Sequence, residues 1–452
     1  MIPGSEPIET QILNKITPTA KEKKELEHVI ETLKKHVIKE IEKTNIPILI
    51  ELVGSTAKDT YIQTAVDIDL FLVFPATVPR EILQEKGLSI GRAILEKQEE
   101  CFAEHPYVRG RFQNYKTEIV PCYKIESASQ KLSAVDRTPL HTRYVKKHLK
   151  DTQKKEVRLF KQFLKGISCY GAEAEIEGFS GYLCEILVIK YGTFQELLQE
   201  AQHWQYGQTL TLEEGPSPHF ETPLTFIDPV DPARNVASAL SKDKFDIFAK
   251  ACSEYVKNPR TTFFFSHDLQ PWPLEKIKKE IEKKEFVGLK IPKPDIIAEN
   301  LYPQVRKAVR SLTEFCEQND FTIIDATFSI DKSTVTLILH PKTKTLSKTM
   351  LHSGPPVALK KNADEFQEKW TNHPRTRKKP FEKDKRLYVE IEREFTDIQE
   401  LLHHKIKNLS LGKHLDQMIR KKYTVITRTD LLTESMRPFW TKYLDTRMSW
   451  ER

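Results

Sequence analysis

The chain has 452 residues, enough for two to four domains with an ample core, and 39% hydrophobic and 30% charged residues read as a soluble globular protein. No run approaches the roughly 20 apolar residues of a membrane helix, and Met1 to Lys15 is polar, so neither a membrane span nor a secretory signal is expected. Net charge is +7, unevenly divided: residues 1–257 hold 34 Lys and Arg against 37 Asp and Glu, or −3, whereas residues 258–452 hold 37 against 27, or +10.

Six cysteines (Cys101, Cys122, Cys169, Cys184, Cys252, Cys316) form no Cys-x-x-Cys pair. This argues against a zinc knuckle or disulfide framework and for a reducing cytoplasm. The basic excess gathers in Lys332–Lys361, in 373–379 and in 403–414, segments that suit a phosphate backbone; a solvated lysine-rich surface is the plainer alternative.

In chain order, Thr17-Pro18 predicts an N-cap and a first-turn proline for a helix to about Lys43, with Leu26, Val29, Ile30, Leu33 and Val37 at helical spacing. A strand at 47–53 ends on Gly54-Ser55. Asp67–Phe74 is a strand apolar on both faces, a helix is expected near 81–105, and strands follow around 108–112 and 116–124. A mostly helical block begins near Asp136. Residues 154–168 place Val157, Phe160, Leu164 and Ile167 on one helical face and Arg158, Lys161 and Lys165 on another. Helices are also expected at 181–191, 194–201 and, after a double Asp-Pro turn, 235–240. Beyond 258, a helix at 303–318 precedes a hairpin of 321–330 and 333–340, Gly354-Pro-Pro-Val reads as a rigid turn, and 374–385 reads as a linker or basic loop.

The sharpest chemical feature is Gly54-Ser55 followed by Asp67-Ile-Asp69. Residues i and i+2 of a strand point the same way, so Asp67 and Asp69 present paired carboxylates. Such a pair repels itself unless a cation intervenes, and hard oxygen donors favour Mg2+ completed by waters and phosphates. Gly54 permits a phosphate to approach the backbone, and Ser55 can donate to it. A two-metal site needs a third carboxylate. Glu118, alternating with Ile119 on a predicted strand, offers one, since an inward acid is costly unless paired or ligating. Taken singly, each has a blander reading: an edge cap, a turn, or Glu118 paired with Lys116.

Together, Gly-Ser, Asp-x-Asp and a third acid resemble the DNA polymerase beta superfamily of nucleotidyltransferases. The runs 53–60, 67–71, 120–123, 136–141, 170–173, 178–185 and 228–235 narrow this to a resemblance to the archaeal-type (class I) CCA-adding enzymes, strong over 20–240 and weaker beyond. The resemblance implies an α+β multidomain protein: a mixed-sheet, polymerase beta-like head (1–135), a helical central nucleotide-binding domain (136–257), a C-terminal RNA-binding body (258–300 and 386–452) and a tail module contacting tRNA (301–385). It implies that Asp67, Asp69 and Glu118 are the catalytic, metal-binding carboxylates, although the family usually has Asp at the third place. It further implies that Gly54, Ser55 and Lys58 lie on the triphosphate loop, that His141, Lys161 and Tyr170 hold phosphates and ribose, and that Arg234 helps select C or A.

The implied reaction is attack of a tRNA 3′ hydroxyl on the α-phosphate of CTP or ATP, with Mg2+ as cofactor and pyrophosphate as product. The acceptor stem and 3′ end of tRNA would lie on the basic half, without a membrane, in the cytoplasm; a homodimer is left open. Two other readings stay open here. One is a poly(A) polymerase or oligoadenylate-type enzyme on the same core, and the other is a non-catalytic RNA-binding protein.

Overall fold

The computed structural model describes residues 6–102, 106–215 and 218–452, in two compact units: residues 1–268 with 447–452, and residues 269–446. The first unit opens with two helices, α1 (Ile8–Ile16) and α2 (Ala20–Glu42). The N-cap is Thr19 rather than Thr17. Its side chain accepts from Glu22 N–H while Glu22 reaches back to the Thr19 N–H, a reciprocal capping box. Pro18 therefore lies before the helix, and α1, which the sequence reading leaves out, packs against the central block through Ile12 and Ile16.

The head is a five-stranded mixed sheet built from β1 (Leu49–Val53), a short helix α3 (Gly54–Lys58), β2 (Asp67–Phe74), α4 (Arg80–Ile94), β3 (Glu96–Phe102), β4 (Pro106–Phe112) and β5 (Tyr115–Tyr123). The strand order is β1-β2-β5-β4-β3, with β2 and β5 parallel and the other pairs antiparallel. Leu26, Val29, Ile30 and Leu33 of α2 and Leu83 and Ile90 of α4 cover one face, over Ile68, Leu70, Leu72 and Ile119. The helix expected to reach 105 stops at Ile94. Glu96 and Glu99 instead lie opposite Arg111 and Arg109 across β3–β4, and this cross-strand charge pairing overrides the helix propensity of a Glu/Lys run. The last three positions of that expected helix, 103–105, lie outside the described residues.

The central block contains α5 (Arg137–His148), α6 (Lys154–Gly166), α7 (Gly181–Tyr191), α8 (Phe194–Ala201), two short parallel strands β6 (Gln208–Leu210) and β7 (Leu224–Phe226), and α9 (Lys242–Lys257). Phe160, Phe163, Phe179, Phe194 and Phe248 form its core, and Trp450 returns to stack on Phe263 at 5.3 Å. The helix expected at 235–240 is a stapled turn. Asn235 Oδ1 accepts from Phe226 N–H and Ala237 N–H, and its Nδ2 donates to the Leu224 carbonyl, giving the backbone side-chain partners in place of a helix.

The second unit holds α10 (Leu274–Ile281), β8 (Val287–Pro292), α11 (Ala298–Gln318), β9 (Ile323–Ile330), β10 (Thr334–Pro341), β11 (Thr349–Pro356), α12 (Lys360–Thr371), β12 (Thr376–Lys383), β13 (Arg386–Glu392), α13 (Ile398–Lys405), α14 (Lys413–Lys421), β14 (Thr424–Thr427), α15 (Arg428–Leu431) and α16 (Arg437–Leu444). The expected hairpin forms as β9–β10, but it joins β8 and β14 in a four-stranded sheet under α11. A second sheet, β11-β13-β12, is backed by Phe366 and Trp370 of α12. Two expectations give way here. Gly354-Pro-Pro belongs to β11 and the basic 374–385 stretch forms β12. Both are edge strands with register shifts, where prolines cost no ladder bond and lysines blunt the edge.

Candidate active site

The β1–α3 junction and the start of β2 meet at one corner of the head. Gly54 opens α3 with φ +71°, and Thr56 Oγ1 donates to the Asp67 carbonyl (2.5 Å), tying the Gly-Ser turn to the first carboxylate strand. On β2, Ile68 and Leu70 are fully buried. Asp67 is exposed and Asp69 half-buried, as the two-residue period requires. In the parallel β2–β5 register Asp69 lies beside Glu118, so the three acids expected from the sequence share one end of two neighbouring strands.

Their electrostatics follow from that crowding. Burial, then the Glu118 and Asp67 charges, push the Asp69 carboxyl up to about 7, as like charges packed together do. Glu118 does not pair with Lys116. Arg109 on β4 donates from Nε to Glu118 Oε1 at 2.7 Å and also lies 3.5 Å from Glu99. Sequence reading gave Arg109 no role, because its partner is fixed only by the β4–β5 register.

The basic residues expected on the triphosphate loop and on α6 are drawn inward. Lys58, at the end of α3, and Lys161 both reach Glu185 of α7, at 2.5 and 3.5 Å, and Lys161 also donates to the Thr60 carbonyl at 3.1 Å. Arg158, read as part of a polar helix face, is buried. It donates to the Tyr61 carbonyl at 2.9 Å, to the Asp59 carbonyl at 2.7 Å and to the Asp59 carboxylate. The 58–61 segment is thereby clamped onto α6. Tyr170 sits beneath the Lys165 ammonium, 5.5 Å from its ring centroid. Burial lowers the Lys165 pKa while the Asp67 charge opposes, which brings Lys165 within the field of the carboxylate corner.

His141 and Arg234 belong to a second cluster, around Asp228. His141 Nε2 and Arg234 Nη1 both donate to Asp228 Oδ2, at 2.8 and 2.9 Å, and the Tyr182 hydroxyl donates to Oδ1 at 3.1 Å. His141 also stacks on Tyr182 at 4.1 Å. Burial would raise the Asp228 carboxyl, but the hydrogen bond and charge of His141, the Val230 N–H and Arg234 hold it at about 2. Burial pushes His141 below its ordinary pKa, with Asp228 opposing. The Asp-Pro-Val-Asp-Pro run signalled this cluster in the sequence; Tyr182 lies in the run 178–185 that carries the resemblance, without a role of its own there.

Three family models divide the chain: a nucleotidyltransferase domain over residues 30–141, a tRNA nucleotidyltransferase second domain over 155–265, and a CCA-adding enzyme C-terminal domain over 282–428. The CCA-adding enzyme of Methanosarcina barkeri is 35% identical over 427 residues, 93% of this chain and 94% of that protein. The chain belongs to the CCA-adding enzymes. Those of Methanocaldococcus jannaschii and Methanothermobacter thermautotrophicus are 34% and 36% identical, over 91% and 86% of this chain and 94% and 86% of theirs.

CCA-adding enzymes act on tRNA with nucleotide substrates and work with a divalent metal. The carboxylate corner fits such an ion in donor type, since Asp67, Asp69 and Glu118 offer only hard oxygens. Among the described residues, no three His, Cys, Asp or Glu side chains are gathered tightly enough to cage an ion unaided. Glu118 is turned to Arg109, so around an ion bound here waters and substrate phosphates would complete the shell. Among the described residues no helix is long and apolar enough to cross a membrane.

Proposed function

We propose that the protein adds CMP and then AMP to the 3′ end of tRNA at the corner formed by Gly54-Ser55, Asp67, Asp69 and Glu118. The observation that carries this is the register that sets Asp69 beside Glu118, with Gly54 packed against the Asp69 carboxylate. Asp67 and Asp69 would hold magnesium, with Glu118 on the side of the attacking hydroxyl. When bound, magnesium supplies a lowered pKa at that hydroxyl and countercharge for the triphosphate and leaving pyrophosphate.

The chain's own groups do the rest. The backbone at Gly54 and the Ser55 hydroxyl meet the triphosphate at the start of α3. Lys58 and Lys161 supply positive charge behind that loop, and Tyr170 lies where the ribose is held. Arg234, oriented by the Asp228 carboxylate, presents donors to the base and the growing RNA end, so C and A are chosen without a template strand, and His141, held by the same carboxylate, lies where the nucleotide's phosphates and ribose are held. In this reading residues 1–135 are the catalytic head, 136–257 the nucleotide-binding block, 258–300 with 386–452 the RNA-binding body, and 301–385 the tail module. The +10 balance of residues 258–452 neutralises phosphates of the acceptor stem. Six free cysteines agree with a cytoplasmic setting.

The test is a tRNA transcript ending at the discriminator base, incubated with magnesium and labelled CTP and ATP, separately and together. Addition of C, C and A followed by a stop is the expected product. Run-on A tails, or use of ATP before CTP, would overturn the assignment. The Asp67→Ala variant should bind tRNA as before and incorporate nothing.

A further inference from the structure

Glu185 is a fully buried carboxylate that has no part in the chemistry above, yet three elements converge on it. From α3, Lys58 Nζ lies 2.5 Å from Oε2. Just after α3, Thr60 Oγ1 donates to Oε1 at 2.6 Å. From α6, Lys161 Nζ stands 3.5 Å from Oε1 while also donating to Thr60 Oγ1 at 3.2 Å. One carboxylate on α7 therefore anchors both lysines and Thr60, two residues past the end of the Gly-Ser helix.

The charge count gives this arrangement a use. Two ammonium groups share one carboxylate, which leaves an excess positive charge in a place poor in water, and an arriving polyanion completes the neutralisation. Burial lowers the Lys161 pKa. Glu185 is the main group opposing that, Cys184 aids it weakly, and Lys58 works with burial. Burial would also neutralise Glu185, but Lys58 and Lys161 hold its carboxyl below the ordinary range. An unpaired lysine in this position would release its proton and with it the attraction for phosphate.

We propose that Glu185 is a positioning residue that holds Lys58 and Lys161 in place for the triphosphate of CTP or ATP. The inference rests on the reading of those two lysines as triphosphate holders. Glu185 touches no substrate; it acts through them, and it acts alike for both nucleotides because the triphosphate is common to both.

The decisive comparison is Glu185→Gln, which keeps the shape and the Thr60 contact but removes the charge. Expected are a rise of about tenfold in KM for both CTP and ATP, a much smaller change in kcat, and unchanged tRNA affinity. The alkaline limb of kcat/KM should move to lower pH by about one unit, as expected when a carboxylate next to a buried lysine is lost. Glu185→Asp should restore part of that limb. A lowered melting temperature with wild-type KM and an unmoved limb would show a merely structural carboxylate and overturn the proposal. If Glu185→Gln does not fold, the KM of Glu185→Asp decides, because the shorter side chain keeps the charge but withdraws it from both lysines: wild-type KM for CTP and ATP in that variant overturns the idea. Lys161→Met separates the two levels. Wild-type nucleotide KM in that variant refutes the triphosphate reading itself, whereas a raised KM there beside a normal one in Glu185→Gln refutes only the role given to Glu185.

Discussion

Gly54 lies directly against the Asp69 carboxylate. A Cβ built on it would overlap Asp69 Oδ2, and its φ of +71° is a conformation that L side chains rarely adopt. Both constraints act at the point where β1 turns into α3. Gly54→Ala should therefore displace Asp69 and strain the turn, at a stability cost of about 1–3 kcal/mol. Incorporation should fall at least a hundredfold while circular dichroism stays that of a folded protein. Near-normal incorporation would show that the carboxylate corner tolerates displacement and is not the reaction centre.

The same crowding sets a pH dependence. Burial and the neighbouring Glu118 and Asp67 push the Asp69 carboxyl up to about 7, against an ordinary Asp value of 3.8. Between those values the unfolded chain has released a proton that the folded chain keeps. Stability of the metal-free protein should thus fall as pH rises from about 4 to 7 and lose nothing more from this group above that. Magnesium bound to the ionised carboxylates works in the opposite direction. Its effect on the melting temperature should be larger at pH 8 than at pH 6, and Asp69→Asn should erase that difference. An equal magnesium shift at both pH values would count against Asp69 as a metal-binding group.

The capping box of α2 gives a test of the fold away from the chemistry. Thr19 accepts from the Glu22 N–H at 3.2 Å, and Glu22 accepts from the Thr19 N–H at 2.8 Å and from Gln63 at 2.7 Å. Thr19→Ala should cost about 1 kcal/mol and lower the melting temperature by about 2–4 °C for a unit of this size, with nucleotide incorporation unchanged. Thr17→Ala, at the cap expected from the sequence, should cost less. The reverse order in a thermal melt would refute the observed cap.

These outcomes show which relationships the sequence carries by itself. Strand β2 was legible to the residue because Asp67–Phe74 combines a two-residue period at its start with an apolar run, and both are local signals. The acids of the corner were legible for the same reason, being spaced along strands. What decides β3 is not local: its glutamates match a helix as well as a strand until Arg109 and Arg111 are laid opposite them. The polar face of α6 misled in a similar way. Arg158 and Lys161 look like solvent-facing residues, but Asp59 and Glu185, distant in sequence, bury them. Pairing of this kind appears only once the chain is folded, and the groups that support the candidate site are mostly of this kind.

Asp228 is the clearest case, because one carboxylate orients two residues assigned to nucleotide recognition. Oδ2 accepts from His141 Nε2 and Arg234 Nη1, while Oδ1 accepts from the Tyr182 hydroxyl and, at 3.0 Å, from the Val230 N–H. With His141 held below its ordinary pKa by burial, the imidazole is neutral near pH 7 and carries its proton on Nε2, toward Asp228. Asp228→Asn replaces one acceptor by an NH2 group. Whichever way the amide turns, its NH2 meets a group that can only donate: Arg234 on one side or the Val230 N–H on the other. Loss of a hydrogen bond to a charged group is worth about 1.5–3 kcal/mol, enough to free Arg234 from its orientation. Discrimination between CTP and UTP, read as the ratio of kcat/KM on tRNA ending at the discriminator base, should fall about tenfold or more, and the variant should remain folded. A fall of equal size for every nucleotide, with the ratio intact, would mean that Asp228 supports the loop from 228 to 235 and not the choice of base.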